Sequence, residues 1–305
     1  MRRVALFRGI LALANTPKSV FSPIPVFAIS LFFLYRHPVP LELSTLEVFL
    51  TGAAFSILSV WAANIFNHVN DFDEDRAAGK DNPIIRGDVK PGTAKAFSFA
   101  FYLIALAVIG FGFVEERLPA LILACLFCTV TAIYSWQGFR FLGGHRLKEK
   151  WAGEVLVYAI SIPAHTIVLA LVYSTMDPMI LVIAIPIIFY LVVGLMLKDL
   201  KDISADRAAG YSTLGVVFST QKLLGGAVCS LLVFYASAMV LSITGIVGTG
   251  GIVVSIPAAF FIAGVAIPLW RQRFILTEKD ARRINLFTKT TYIAIIVWGL
   301  GSMAG

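Results

Sequence analysis

Nine stretches of this chain are apolar enough, and about long enough, to cross a lipid bilayer, and they leave little sequence for anything else. They fall at about 19–35, 44–67, 93–114, 118–136, 153–174, 177–198, 221–246, 251–270 and 285–304. A span needs about 20 predominantly apolar residues. In hydrocarbon each span must satisfy its own backbone hydrogen bonds, so all nine are expected to be helices despite their Val, Ile and Phe content. Composition agrees. Of the 305 residues 58% are hydrophobic and only 14% charged, whereas a soluble domain carries about 25% charged residues. Soluble and disordered classes are excluded. The expected fold is an all-α polytopic membrane protein forming a single domain over 1–305. Its nine transmembrane helices surround a central cavity capped by cytoplasmic loops.

Charge orients the bundle. The N-terminal arm and every second loop hold 23 of the 25 Lys and Arg residues, and only Arg36 and Arg117 fall on the other side. The positive-inside rule then puts the N-terminus in the cytoplasm and the C-terminus outside. The net charge of +7 is therefore a topology signal, and nucleic acid is not expected as a partner. Residues 1–16 combine arginines with a short apolar stretch that Arg8 interrupts, which predicts an interfacial helix rather than a signal peptide. Trp136, Trp151 and Trp270 fall near cytoplasmic helix ends, where interfacial Trp is common. Cys125, Cys128 and Cys229 lie in apolar stretches and imply no disulfide framework. The C-x-x-C of Cys125 and Cys128 has no partner pair and is expected to pack a helix.

The acidic residues are concentrated where bland loops do not put them. Span 2 runs into Asn64, Asn67, Asp71 and Asp75, and span 6 into Asp199, Asp202 and Asp206. Asn67, Asp71 and Asp75 are spaced i, i+4, i+8 and share a helix face, with Asn64 one turn earlier. Asp202 and Asp206 repeat the i, i+4 spacing, with Asp199 on the same side. The segment Asp71-x3-Asp75-Arg76-Ala77-Ala78-Gly79 recurs as Asp202-x3-Asp206-Arg207-Ala208-Ala209-Gly210. Four spans separate the copies, so both face the same side of the membrane. Carboxylates near the bilayer are costly and usually functional. Carboxylates on one face repel unless a cation sits among them, and hard oxygen donors of this kind suit Mg²⁺ with substrate phosphates. The bland alternative is helix capping and pairing with nearby Lys and Arg, and the duplication argues against it. Arg146 and Lys148, in the loop between the two acidic loops, supply cations of the kind that grip phosphate. The positive-inside rule alone would also account for them.

Asn67-x3-Asp71-x3-Asp75 after span 2, with Asp202-x3-Asp206 after span 6, resembles the UbiA superfamily of intramembrane prenyltransferases. The likeness continues through Gly79-Lys80-x-Asn82-Pro83-Ile84 in the first loop. It includes Tyr134-Ser135 and Arg146-Leu147-Lys148 in the second, and Gly210-x-x-Thr213-Leu214 in the third. The resemblance implies Mg²⁺-dependent transfer of a polyprenyl group from an allylic diphosphate, geranyl to geranylgeranyl or longer, to a membrane-associated acceptor. It implies that Asn67, Asp71, Asp75, Asp202 and Asp206 hold the metal, as two Mg²⁺ ions bridged by the diphosphate, with Asp199 and Asn64 added on the substrate side. It implies that Arg146 and Lys148 contact the diphosphate, and that Tyr134 and Ser135 lie near the reacting end of the prenyl chain. Asp71, Asp202, Tyr134 and Lys148 are the residues expected to carry the catalysis. The expected location is a prokaryotic cell membrane with the active site facing the cytoplasm.

The chemistry fits. Breaking an allylic C–O bond needs the departing charge neutralised. The allylic cation needs a water-poor pocket, and the π faces of Phe66, Phe72 and Tyr134 can stabilise it. The chain departs from the family pattern in four places. Asn15-Thr16-Pro17-Lys18 stands where an Arg is frequent, and Asn82-Pro83 where Arg-Pro is common. Gly153-Glu154 replaces Gly-Asn and is similar to the naphthoate-prenylating branch. Lys198-Asp199 replaces paired Asn and is similar to the archaeal lipid-ether branch. The acceptor thus stays open between a lipid-quinone precursor, of naphthoate or hydroxybenzoate type, and an isoprenyl glycerol phosphate. A secondary transporter with a parallel internal repeat is the alternative from another class, and a non-catalytic scaffold is a third. His165, mid-span beside Pro163, is expected to hydrogen-bond a neighbouring helix, and His68 to point away from the Asn67 face.

Overall fold

The computed structural model describes residues 2–15, 24–35, 43–77, 79–112, 114, 116–138, 146–174, 179–276 and 281–302. Described side chains do not include those of Asp199, Lys201, Asp202 and Ala205. The expectations for Lys18 and the first residues of span 1 lie outside the described residues, as do those for the side chains of Asp199 and Asp202.

The regular elements among the described residues are all helices, with no named strand. They form α1 Arg2–Ala14, α2 Ile24–Tyr35, α3 Leu43–Asn70, α4 Phe72–Ala77, α5 Pro91–Phe111, α6 Arg117–Ser135, α7 Trp151–Tyr173 and α8 Met179–Ala208. Then come α9 Leu214–Val217, α10 Thr220–Ile243, α11 Gly250–Val253, α12 Ser255–Phe261, α13 Ile267–Arg271 and α14 Ala281–Gly301. Eight described segments are long and apolar enough to cross a membrane. The twelve described residues of α2 are part of the first of the nine expected spans. Span 8 is one such segment, Gly250–Arg271, interrupted by a π turn at Ile262–Ala266.

The segments pack as a closed ring. Going round it, α2 meets α3, then α5, α6, α7, α8 and α10, and α11 and α12 lead to α14, which returns to α2. Polar side chains join neighbours inside this apolar ring. The Ser98 hydroxyl donates to the Ala62 carbonyl at 2.8 Å, and Tyr102 and Thr131 hydroxyls meet at 3.0 Å. His165 Nε2 lies 3.2 Å from Ser56 Oγ, bridging α7 to α3, with its ring stacked on Phe55. That is the interhelical bond expected of it. Leu103, Phe111, Leu118, Ile243 and Phe260 are exposed on the outside, which a lipid-facing surface requires. In water so much exposed apolar area would be an aggregation patch.

α1 is tied to the bundle at the end of α3 where the site lies. Its Ile10, Leu13 and Ala14 are buried with Ile65, Ile84, Val89 and Ala94. Asn64 donates an amide N–H to the Ala14 carbonyl at 2.8 Å, and the Trp61 indole donates to Asn15 at 2.9 Å. Val4 and Phe7 stay exposed, consistent with an interfacial helix.

Candidate active site

The repeated sequence folds twice into the same helix end. The backbone hydrogen bonds Asn67 to Asp71 and Asp71 to Asp75 keep α-helical spacing across the α3–α4 junction, so the expected shared face survives. Gly79 and Gly210 both adopt positive φ, +64° and +74°. In the first copy the Gly79 N–H bonds the Arg76 carbonyl and the Lys80 N–H the Asp75 carbonyl. In the second the Gly210 N–H bonds Arg207 and the Tyr211 N–H bonds Asp206. These are the two bonds of a Schellman cap. The second Asp of each copy is then held by a side chain seven residues on. Asn82 donates to Asp75 at 3.3 Å, and Thr213 donates to Asp206 at 2.7 Å.

Asp75 has further partners. Lys80 Nζ lies 2.9 Å from Asp75 Oδ1, and His68 Nδ1 lies 3.6 Å from Asp75 Oδ2. Burial pushes the Asp75 carboxyl up, but the attraction of the nearby His68 and Lys80 outweighs it and the pKa ends below the ordinary value. His68 therefore reaches the acidic face instead of pointing away from it. Helical spacing carried across the α3–α4 junction puts His68 and Asp75, seven residues apart, on the same side.

Arg146 is the junction of the three loops. Its side chain is fully buried. Nε donates to Glu149 at 2.6 Å, Nη1 to the Asn70 carbonyl at 3.0 Å and to Asp71 at 2.9 Å, and Nη2 to Glu74 at 2.5 Å and to the Tyr211 hydroxyl at 2.9 Å. All five guanidinium N–H groups are thus engaged within the protein. Burial lowers the Arg146 pKa, and bonds to Glu74 and Glu149 more than restore it, leaving it above the usual arginine value. The second loop is also stitched to the third by backbone bonds from Ser212 N to the Glu149 carbonyl and from Trp151 N to the Ser212 carbonyl, both 2.8 Å. One guanidinium therefore touches Asp71 after α3 and Tyr211 after α8. The loops that follow the two acidic helix ends are thus joined through Arg146.

Lys148 ion-pairs with Asp71 Oδ1 and lies 3.5 Å from Asn67 Oδ1. Ser135 donates to the same Asn67 oxygen at 2.7 Å. Burial draws the Lys148 pKa below the usual lysine value despite the pull of Asp71. A cation already bridges Asn67 and Asp71, and that is the observation that tests a metal there. Both are oxygen donors, and they draw in a positive group. Among the described residues no three His, Cys, Asp or Glu side chains form a ready-made cage. Mg²⁺ does not need one, since it is commonly held by one or two carboxylates plus phosphates and water. The donor set fits.

Tyr134 belongs to a second cluster that sequence reasoning did not assemble. Glu154, fully buried in the first turn of α7, receives Lys198 Nζ at 2.7 Å and the Tyr134 hydroxyl at 3.1 Å. Lys198 also donates to the Tyr134 oxygen at 2.9 Å. Glu74, Glu149, Tyr211, Glu154 and Lys198 were all missed as site residues. The usable signal was a carboxylate inside an apolar span, which Glu154 carries.

A ring of membrane-crossing helices, joined at one end by interlocked acidic and basic loops, is the architecture of an integral membrane protein with a highly charged mouth. The sequence model of the UbiA prenyltransferase family matches residues 22–296, and the chain belongs to that family. It is an intramembrane prenyltransferase, which sets the transporter alternative aside. The chain is 31% identical over 215 residues to an uncharacterised protein of Archaeoglobus fulgidus, covering 68% of this chain and 72% of that one. It is 26% identical over 218 residues to the digeranylgeranylglyceryl phosphate synthase of Natronomonas pharaonis, covering 71% and 73%. Among solved structures, one described as concerning digeranylgeranylglyceryl phosphate synthase in membranes superposes with a TM-score of 0.67 at 17% identity, over 98% of this chain and 99% of that one. A UbiA homologue of Archaeoglobus fulgidus, solved with DMAPP and Mg²⁺, gives 0.64 at 14% identity over 97% and 99%. At such identities the structural likeness shows the shared fold.

Proposed function

We propose that this enzyme transfers an isoprenyl group from an allylic diphosphate to a hydroxyl of an isoprenyl glycerol phosphate, releasing diphosphate in a Mg²⁺-dependent reaction. The observation that carries the reading is the link Arg146 makes between Asp71 and Tyr211 of the loop after the second acidic helix, beside an Asn67–Asp71 pair already bridged by the Lys148 ammonium. The likeness to a digeranylgeranylglyceryl phosphate synthase supports the acceptor.

In this reading Asn67, Asp71, Asp75, Asp202 and Asp206 hold the metal, with Asp199 beside them. Bound there, Mg²⁺ neutralises the charge that builds on the departing diphosphate. Lys148 moves its ammonium from Asp71 to the phosphate oxygens as a point charge. Arg146 keeps Asp71 and Glu74 in place while this happens, and Ser135 fixes the Asn67 carboxamide. The isoprenoid tail lies in the apolar ring, where water does not compete for the allylic cation. The basic loops put this end of the bundle in the cytoplasm, with the N-terminus on the same side.

The test is diphosphate release by purified protein in detergent, with geranyl, farnesyl and geranylgeranyl diphosphate in turn. Each is paired with an isoprenyl glycerol phosphate, a naphthoate or a hydroxybenzoate, with and without Mg²⁺. Mg²⁺-dependent release with the glycerol phosphate supports the reading. Release only with an aromatic acceptor replaces the acceptor and keeps the enzyme. Absence of Mg²⁺-dependent donor binding overturns the site.

A further inference from the structure

The buried cluster of Tyr134, Glu154 and Lys198 is not needed to hold a diphosphate, yet it is costly. A carboxylate taken out of water loses several kcal/mol unless its lone pairs are matched. Glu154 is fully buried, and its Oε1 is matched by Lys198 and Tyr134, but its Oε2 has no hydrogen-bond partner among the described residues. A buried polar atom left unsatisfied in a native structure calls for a reason. The cluster also adjoins the first acidic face and the second acidic helix. Tyr134 adjoins Ser135, which bonds Asn67 on the first acidic face. Lys198 lies four residues before Asp202 on α8, one turn along the same helix. Its side chain is 30% exposed while Glu154 behind it has no exposure. The Tyr134 ring is fixed by the Tyr158 ring, edge to face at 6.0 Å.

Resting on the function proposed above, we propose that Tyr134 and Glu154 form the proton relay that activates the acceptor. A hydroxyl that attacks an allylic carbon must lose its proton as the new C–O bond forms. In the step, the C1–O bond of the donor breaks and its electron pair leaves with the diphosphate. An oxygen lone pair of the acceptor forms the bond to C1. The acceptor proton passes to the Tyr134 oxygen, while the proton of Tyr134 passes along the existing hydrogen bond to Glu154 Oε1. The products are the ether, diphosphate and a protonated Glu154, which returns its proton to solvent before the next turnover. Lys198, donating to both Tyr134 and Glu154, stabilises the negative charge that develops on the phenol oxygen during the exchange. With Oε2 unmatched, the carboxylate is held by fewer hydrogen bonds than it can accept, and Oε1 takes the proton along the Tyr134 bond already in place. Tyr134 touches the acceptor in this scheme, and Glu154 acts through it.

The test is steady-state kinetics of Glu154→Gln, Glu154→Asp and Tyr134→Phe in the full-length protein, alongside Mg²⁺-dependent binding of geranylgeranyl diphosphate. Glu154→Gln preserves shape and can still accept the Tyr134 hydrogen bond, but it cannot take the proton. General-base catalysis is worth about 10²- to 10⁴-fold, so kcat should fall by that order. Donor affinity and the KM for acceptor should stay within about threefold of the wild type. Tyr134→Phe should lose as much, and the double variant no more than either single one, because a relay fails as a unit. Glu154→Asp should recover part of the rate. A merely structural Glu154 would lower thermal stability and donor affinity together without this split. Should Glu154→Gln fail to fold, Tyr134→Phe decides the matter by itself. Wild-type kcat in either folded variant overturns the relay. A wild-type enzyme that transfers to no acceptor overturns the proposed function, and the relay with it.

Discussion

Arg146→Gln should unlock the three loops before any substrate is bound. The guanidinium neutralises Asp71, Glu74 and Glu149 at 2.9, 2.5 and 2.6 Å from a fully buried position. Gln cannot replace the charge, and Glu149 is itself only 4% exposed on its side chain. Removing one partner of a buried pair costs about 3–5 kcal/mol, since the remaining charge is left unpaired. Glu74, at 29% side-chain exposure, regains water and adds little. At roughly 2 °C per kcal/mol, the lower end for larger chains, the thermal midpoint should fall by roughly 6–10 °C. The assay is thermal unfolding in detergent, without Mg²⁺ or diphosphate, with Lys148→Met as the comparison. Among the described residues Lys148 pairs with Asp71 and Asn67 of the first acidic helix end, so its variant should lose donor affinity with a much smaller shift in midpoint. An Arg146→Gln protein with the wild-type midpoint, impaired only in donor binding, would refute this reasoning and make Arg146 a phosphate clamp.

Other variants separate the local terms. Asp71→Asn and Asp202→Asn should each lower turnover by at least about 10²-fold while the protein stays folded, as followed by diphosphate release and size-exclusion chromatography. Gly79→Ala and Gly210→Ala meet open space, so each should cost only the left-handed backbone strain, about 1–2 kcal/mol, and the two costs should match in thermal unfolding. Asp75 has a depressed pKa in the folded state, so its contribution to stability is present above the ordinary aspartate value and lost as pH falls through the depressed one. The midpoint of Asp75→Asn should accordingly lie below wild type at neutral pH and converge with it on acidification. Ser56→Ala removes the interhelical bond to His165 and should cost about 0.6 kcal/mol, with transfer rates unchanged.

Hydropathy and charge alternation made the fold legible because the bilayer admits one solution for an apolar stretch of this length. Most expected bounds fall within a few residues of the helices, but span 6, expected to end at 198, belongs to a helix that runs on to Ala208 and carries the second acidic repeat. Span 2 runs on to Asn70 rather than 67 because its polar end, Asn64 to Asn70, is buried against α1 and the second loop. A hydropathy window ends where polar side chains begin, although the helix does not. The i, i+4 spacing likewise revealed the acidic face, because helix geometry converts spacing directly into direction.

What the sequence concealed was who neutralises whom. Positive-inside bias gives every basic residue in these loops the same explanation, so nothing in the sequence separates Arg146 from Lys148. The structure separates them by donor count. Five fixed N–H groups in a planar fork can satisfy three carboxylates, a carbonyl and a phenol at once. An ammonium, compact and on a flexible stem, can leave Asp71 for a phosphate without dismantling the loops. The same logic assigns the pair Glu154 and Lys198. Their partners lie 44 positions apart, and no periodicity links a first-turn residue of α7 to α8. Only the packing of α6, α7 and α8 brings Tyr134 between them. The proposed division of labour rests on that packing: loop charges fixed by Arg146 are assigned to the leaving group, and the buried carboxylate behind Tyr134 to the proton.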